Sequence, residues 1–273
     1  MLQHCDGSYT QRALDFIGED CVRCFYLYMD LEEYGPDREF TDLWLQLEGE
    51  NIQAVFYRYY NTMHLFSRQL PALEDAAALL REQAPHTIIS NEENIRALQP
   101  LLEGEWELEM SEIITAPRLM EGECSLPIRP ADEEDIPDIV SLMMTEPIYN
   151  TIYTAESLAE QLRGRIRDGF GRLFVIRDET GHLVATNNTS AETKDFAVIN
   201  GLVTDPAMRG RGLGRAITAS TWNLVFREGK KGLAHLGCEN ENTLRLHHAM
   251  GYDFIGRSAR LVLKEESACN GAE

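Results

Sequence analysis

The sequence predicts an α+β protein, with a mixed central sheet flanked by helices in its second half and a smaller N-terminal α/β domain before it. Three observations carry that expectation. An apolar strand pattern over residues 196–204 runs through a glycine-rich turn into an amphipathic helix pattern. Strand and helix patterns alternate through the rest of that half without a strict βαβ repeat. Charge divides the chain: residues 1–125 hold 24 acidic and 8 basic side chains, and residues 126–273 hold 21 and 17, so the first half carries −16 of the total −20. The expected organisation is a domain over 1–123, a second over 126–264 and a flexible tail over 265–273.

In the first half, residues 24–30 and 43–47 read as strands, and 51–66 as a long strand or strand pair rich in Tyr and Phe. Residues 73–83 read as a helix and 86–90 as a strand. That strand runs into Asn91-Glu92-Glu93-Asn94, a turn and helix start that echoes Glu239-Asn240-Glu241-Asn242 late in the chain. In the second half, residues 126–129 open with a strand. Residues 132–144, with Ile136, Ile139, Val140 and Met143 on one face, form a helix that tolerates Pro137 in its first turns. A helix over 155–168 follows, then a hairpin of 172–177 and 183–189, then the strand 196–204. Helix 216–228, strand 233–238, helix 240–250 and strand 254–263 complete the order.

The turn after residue 204 reads as an anion cradle. Gly210, Gly212 and Gly214 remove side chains that would hold a ligand off the backbone, and the helix that follows points its positive end at the same place. Arg209, Arg211 and Arg215 are interleaved with them. A dinucleotide fingerprint is excluded by spacing, because neither Gly210 nor Gly212 begins a G-x-G-x-x-G run, and a Walker loop by the missing Gly-Lys-Ser/Thr.

Thr204-x-Pro206-x-x-Arg209-Gly210-x-Gly212-x-Gly214 resembles the acyl-CoA loop of the GCN5-related N-acetyltransferases (GNAT), R/Q-x-x-G-x-G/A. Asn240-x-x-Thr243-x-x-Leu246-His247-x-x-Met250-Gly251-Tyr252 is similar to that family's later N-x-x-A-x-x-L-Y-x-x-x-G-F segment. The resemblance covers residues 126–264. It implies an acyl-CoA N-acyltransferase fold, acetyl-CoA as co-substrate, a V-shaped opening between two central strands, and direct transfer to a primary amine of a small molecule or peptide. Cofactor contacts are then expected at Leu202, Val203, Thr204, Arg209, Gly210, Arg211, Gly212, Leu213, Gly214 and Arg215, with Asn240 contacting the pantetheine arm or capping the next helix. The first half is expected to be either a GNAT-like copy without the cofactor loop, as in tandem relatives, or an unrelated α+β domain.

The family's usual leaving-group acid, a Tyr, is His247 here. An imidazole titrating near ~6.5 can protonate a thiolate whose own pKa is ~8.5; the alternative is a solvated helix histidine beside His248. Where many relatives carry a basic Glu, the sequence offers Val198, so no base is assigned and deprotonation runs through water. Glu192 and Asp195 read as hairpin-loop residues, and Cys238 as a small buried thiol. A rival function is an acyl-CoA-binding regulatory protein with little turnover.

The acidic balance disfavours nucleic acid as a partner. There is no apolar run near 18 residues and no signal sequence, so a cytoplasmic protein, monomer or homodimer, is expected. Six cysteines do not imply disulfides. Cys21-Val22-Arg23-Cys24 lacks a second pair at metal spacing, so no metal is expected, and the two thiols read as a strand-edge pair.

Overall fold

The computed structural model describes residues 1–169, 171–238 and 241–264, which form two compact units. The first comprises Met1–Ile113 with the chain's closing strand, and the second comprises Ile114–Leu236 with Asn240–Phe254.

The first unit opens with β1 (Leu2–Cys5), α1 (Thr10–Ile17) and α2 (Phe25–Tyr34). Strands β2 (Thr41–Glu48), β3 (Asn51–Tyr59) and β4 (Thr62–Ser67) form a meander, with β1 antiparallel to β2. Helix α3 (Leu73–Gln83) carries the chain to β5 (Thr87–Asn91), parallel to β4; α4 (Glu92–Leu98) and β6 (Trp106–Thr115) follow. The sheet is covered on both faces, so alternate residues of each strand enter different cores. Ala54 and Phe56 of β3 pack with Leu79, Leu80 and Ile95, whereas Val55 and Tyr57 pack with Leu14, Ile17 and Leu27.

Two expectations are corrected here. Residues 24–30 are helical rather than extended. The alternation Phe25, Leu27, Met29, Leu31 mimics a strand, but these four buried residues make two stripes of i, i+4 pairs on a helix covered from two sides. Cys21 and Cys24 consequently lie at a short 3₁₀ turn and the start of α2, not at a strand edge, and neither forms a disulfide. Strands β1 and β6 and helix α1 have no counterpart in the sequence reading. The closing strand, Asp253–Leu263, pairs antiparallel with β5, Ser258 opposite Asn91, and from Ile255 onward it is part of the first unit.

The second unit runs β7 (Ile128–Pro130), α5 (Ile136–Met143), α6 (Pro147–Ile152), α7 (Ala155–Asp168), β8 (Leu173–Arg177), β9 (Leu183–Glu192), β10 (Phe196–Thr204), α8 (Leu213–Arg227), β11 (Lys231–Gly237) and α9 (Glu241–Met250). Its strands follow the order β7-β8-β9-β10-β11, antiparallel except for the β10–β11 pair. Helices α5 and α7 cover one face through Ile139, Leu162, Val175 and Val203; α8 covers the other through Leu213, Ile217, Ala219 and Trp222. The buried carboxylate of Asp135 anchors the edge, accepting from Arg129 Nη1 and Arg177 Nη2 at 2.7 and 2.8 Å. Burial pushes its carboxyl upward, but Arg129, the Asp132 amide and Arg177 outweigh burial and hold it well below the ordinary range.

Candidate functional site

The glycine-rich turn has the backbone an anion cradle needs. Pro206–Met208 make a short 3₁₀ turn whose Ala207 N–H is accepted by the Asp205 carboxylate at 2.8 Å. Arg209 is extended, Gly210 lies at φ +77° and Gly212 at φ +80°, and α8 starts at Leu213. A Cβ at Gly210 or Gly212 would meet nothing within 4 Å, so these positions need glycine for the left-handed backbone rather than for room. Gly214 serves another need: a Cβ there would stand 3.2 Å from Thr204 Oγ1, so the helix seats closely on the strand end. No side chain caps α8, and its first turn holds no acidic residue, which leaves the leading N–H groups directed at the turn with the helix dipole behind them.

The arginines are placed differently from one another. Arg209 donates from Nε to the Thr204 carbonyl at 3.1 Å and pairs with Glu146, tying the turn to its own strand and to the start of α6. Arg215 donates from Nε to the Glu121 carbonyl at 3.0 Å. Arg211 is exposed. The cradle is therefore made chiefly by backbone, and two of its three arginines brace it.

Strand β10 supplies the second feature. Its pairing with β11 covers Phe196, Ala197 and Val198 among the described residues, while pairing with β9 continues to Thr204 through two register breaks, after Val198 and between Asn200 and Val203. Leu202, Val203 and Thr204 thus lie where β10 has parted from β11, on the approach to the glycine turn.

His247 is 4% exposed, its ring 5.2 Å from that of Tyr252, which meets Trp222 edge-on at 4.6 Å. The reading of a solvated helix histidine is overturned; His248 is the exposed member of the pair. Burial pushes the Tyr252 hydroxyl well above the ordinary phenol range. Asn240 and Glu239 lie outside the described residues.

The remaining candidates have structural partners. Val198 is fully buried. Glu192 ends β9 instead of lying in a loop and accepts from Arg172 Nε, Lys230 Nζ and Thr189 Oγ1, each at 2.7 Å. Burial raises its carboxyl, but Arg172 and Lys230 prevail and keep it below the ordinary range, which makes it a poor proton acceptor. Asp195 is exposed, and its carbonyl accepts the Lys231 N–H. Cys238 is half-buried in the turn after β11 and is not in a disulfide.

The sequence reading passed over Asn188 and Asn200, which face each other on β9 and β10 beside the second register break. Their signal is present: Thr186-Asn187-Asn188-Thr189-Ser190 is a polar run inside a central strand, where apolar residues are the norm. Among the described residues no group of three His, Cys, Asp or Glu side chains is placed to hold a metal, and no helix is long and apolar enough to cross a membrane.

Residues 172–261, from β8 to the closing strand, match the family model described as FR47-like protein. No curated protein matches the chain by sequence. Among solved structures, the chain is similar to a GCN5-related N-acetyltransferase from Sphaerobacter thermophilus, 15% identical over 96% of this chain and 94% of that one, with TM-score 0.65. It is similar to an acetyltransferase of the GNAT family from Colwellia psychrerythraea, 11% identical over 97% and 100%, with TM-score 0.61. A tandem GNAT protein from the clavulanic acid biosynthesis pathway is 12% identical over 96% and 97%, also at TM-score 0.61. The C-terminal region thus carries an FR47-like, GNAT-related domain, and the fold is that of the GNAT acyltransferases: a mixed, open sheet flanked by helices.

Proposed function

We propose that this protein is an N-acetyltransferase that moves the acetyl group of acetyl-CoA directly to a primary amine of a small molecule or peptide. The observation that carries the reading is the turn between β10 and α8: two glycines in left-handed backbone, an uncapped helix and a first turn free of acids suit a pyrophosphate and little else at that spot. Backbone N–H groups from Gly210 to Arg215 would hold the diphosphate, with the exposed guanidinium groups of Arg209, Arg211 and Arg215 beside them. The parted edge of β10 at Leu202, Val203 and Thr204 would take the acyl arm and offer N–H groups to the carbonyl oxygen, where charge develops as the amine attacks. Acetyl-CoA brings the activated acyl group. The C–N bond forms as the C–S bond breaks, the amine passes its proton to water, and the thiolate takes one from His247 in its imidazolium form, leaving a neutral imidazole packed against Tyr252.

Acetyl-CoA should raise the melting temperature in a dose-dependent way, by about 2.7 kcal/mol of stability at 100 times Kd. His247→Ala should keep that shift and slow thiol release with an amine acceptor by about 10²-fold. An unchanged rate removes His247 from the mechanism. Binding without turnover on any amine leaves the regulatory reading in possession of the site.

A further inference from the structure

Two ionisable side chains face each other inside the first unit. Asp30 lies on α2 and His64 on β4, with the carboxyl Oδ2 and the imidazole Nε2 4.0 Å apart and the side chains 17% and 6% exposed. The strand register fixes the histidine. His64 stands opposite Tyr57 of β3 and Ile89 of β5, and it is the last residue of β4 that pairs with β5. It shares a strand face with Phe66, the face that packs with Val55, Tyr57 and the α2 residues Leu27 and Leu31. Asp30 therefore meets it from the helix that covers this face.

The surroundings of the pair are phenols, with one carboxylate at the rim. Tyr34 and exposed Glu33 stand on α2, Tyr57 and Tyr59 on β3, and Tyr60 in the turn before β4. The Tyr57 hydroxyl lies 3.0 and 2.9 Å from the backbone carbonyls of Asp30 and Gly35, tying β3 to the end of α2. Burial pushes the hydroxyls of Tyr57 and Tyr59 well above the ordinary phenol range, so both stay neutral. Among the described residues no arginine or lysine acts on Asp30 or His64.

Charge balance then counts the protons. A buried charge without a counter-charge is strongly disfavoured. The pair avoids one in two arrangements, a carboxyl facing a neutral imidazole or a carboxylate facing an imidazolium, and each holds a single proton. Burial selects the first, pushing the Asp30 carboxyl up to about 7 and the His64 imidazole down to about 4. We infer that Asp30 and His64 form a single-proton clasp between α2 and β4, which makes the stability of the first unit indifferent to pH across the mildly acidic range. The unfolded chain also carries one proton on these two residues there, but on the histidine, since the free groups titrate near ~3.9 and ~6.5. Asp30, raised on folding, contributes fully below ~3.9 and loses that contribution as pH rises through about 7. His64, lowered on folding, contributes fully above ~6.5 and loses that contribution as pH falls through about 4. Between those limits the two slopes are equal and opposite: folding moves the proton from imidazole to carboxyl and exchanges none with solvent. The clasp is independent of anything bound at the glycine turn.

The test follows urea unfolding of the full chain at the α2 amides, by hydrogen-exchange mass spectrometry, for wild type, Asp30→Asn, His64→Gln and the double variant. Relative to wild type, the folding constant of Asp30→Asn should rise about tenfold per pH unit between about 4.5 and 6.5, because only the histidine slope remains. That of His64→Gln should fall about tenfold per unit, and the double variant should run parallel to wild type. Single variants parallel to wild type, slopes of one sign in both, or a double variant that departs from wild type overturns the inference. If a variant fails to fold, NMR of the His64 ring in the unaltered protein decides. The ring should stay neutral from about pH 7 down to about pH 5, and protonation near the ordinary ~6.5 would overturn the inference.

Discussion

Two strand-to-helix junctions in this molecule meet the same physical demand in opposite ways. At the end of β5, Asn91 is extended and its side chain accepts the Asn94 N–H at 2.8 Å, with Glu92 and Glu93 in the first turn of α4. The protein satisfies its own helix there. At the end of β10, Gly212 offers no side chain, α8 is uncapped and its first turn has no acid. A helix end left so is available to an anion, and the contrast shows why one junction is scaffold and the other a site.

The largest effect should come from closing the second junction. Gly212→Glu places a carboxylate at the positive end of α8 and a side chain at φ +80°. It should abolish the acetyl-CoA thermal shift, a loss of more than about 10²-fold in affinity, while the strain itself takes about 1–2 kcal/mol from stability. A variant that still shifts like the wild type would remove the turn from the site. Next in size, Asp135→Asn should cost about 3 kcal/mol in urea unfolding, because Arg129 and Arg177 lose their shared carboxylate, and it should leave the acetyl-CoA shift in place. The folded carboxyl titrates below the unfolded value of ~3.9, so its contribution is complete above that pH and disappears as pH falls through the folded pKa. The gap between wild type and Asp135→Asn should therefore narrow on acidification; a gap independent of pH would contradict the charge assignment. The smallest effect tests the first junction: Asn91→Ala should cost about 1 kcal/mol and leave acetyl-CoA binding untouched. If it weakened binding, the separation of scaffold from site would fail.

Several elements of both units were legible residue by residue. The spans 73–83, 155–168 and 196–204 coincide with α3, α7 and β10, since each has one clear period and a turn residue at its end. The two glycines with positive φ in the cradle could be read because few other roles justify glycine interleaved with arginine. Other features were not legible. The 25–31 alternation carries a strand period on a helix, because coverage from two sides erases the usual single apolar face. The partners that Arg209 and Arg215 take in the structure, Glu146 and the Glu121 carbonyl, are distant in sequence.

The sequence alone determined the elements that depend on neighbours within a few residues: the helix and strand periods of the second unit, the glycine turn, and the family resemblance carried by these. Tertiary structure decided what depends on partners far along the chain. It gave the closing strand to the first unit, where β5 offered the unpaired edge. It buried His247 against Tyr252, and it turned Glu192 from a loop acid into the centre of an ion cluster. It also brought Asn188 and Asn200 together across two strands. Local backbone preference is written in short windows, whereas burial, pairing and the charge around a side chain are set only when distant segments meet.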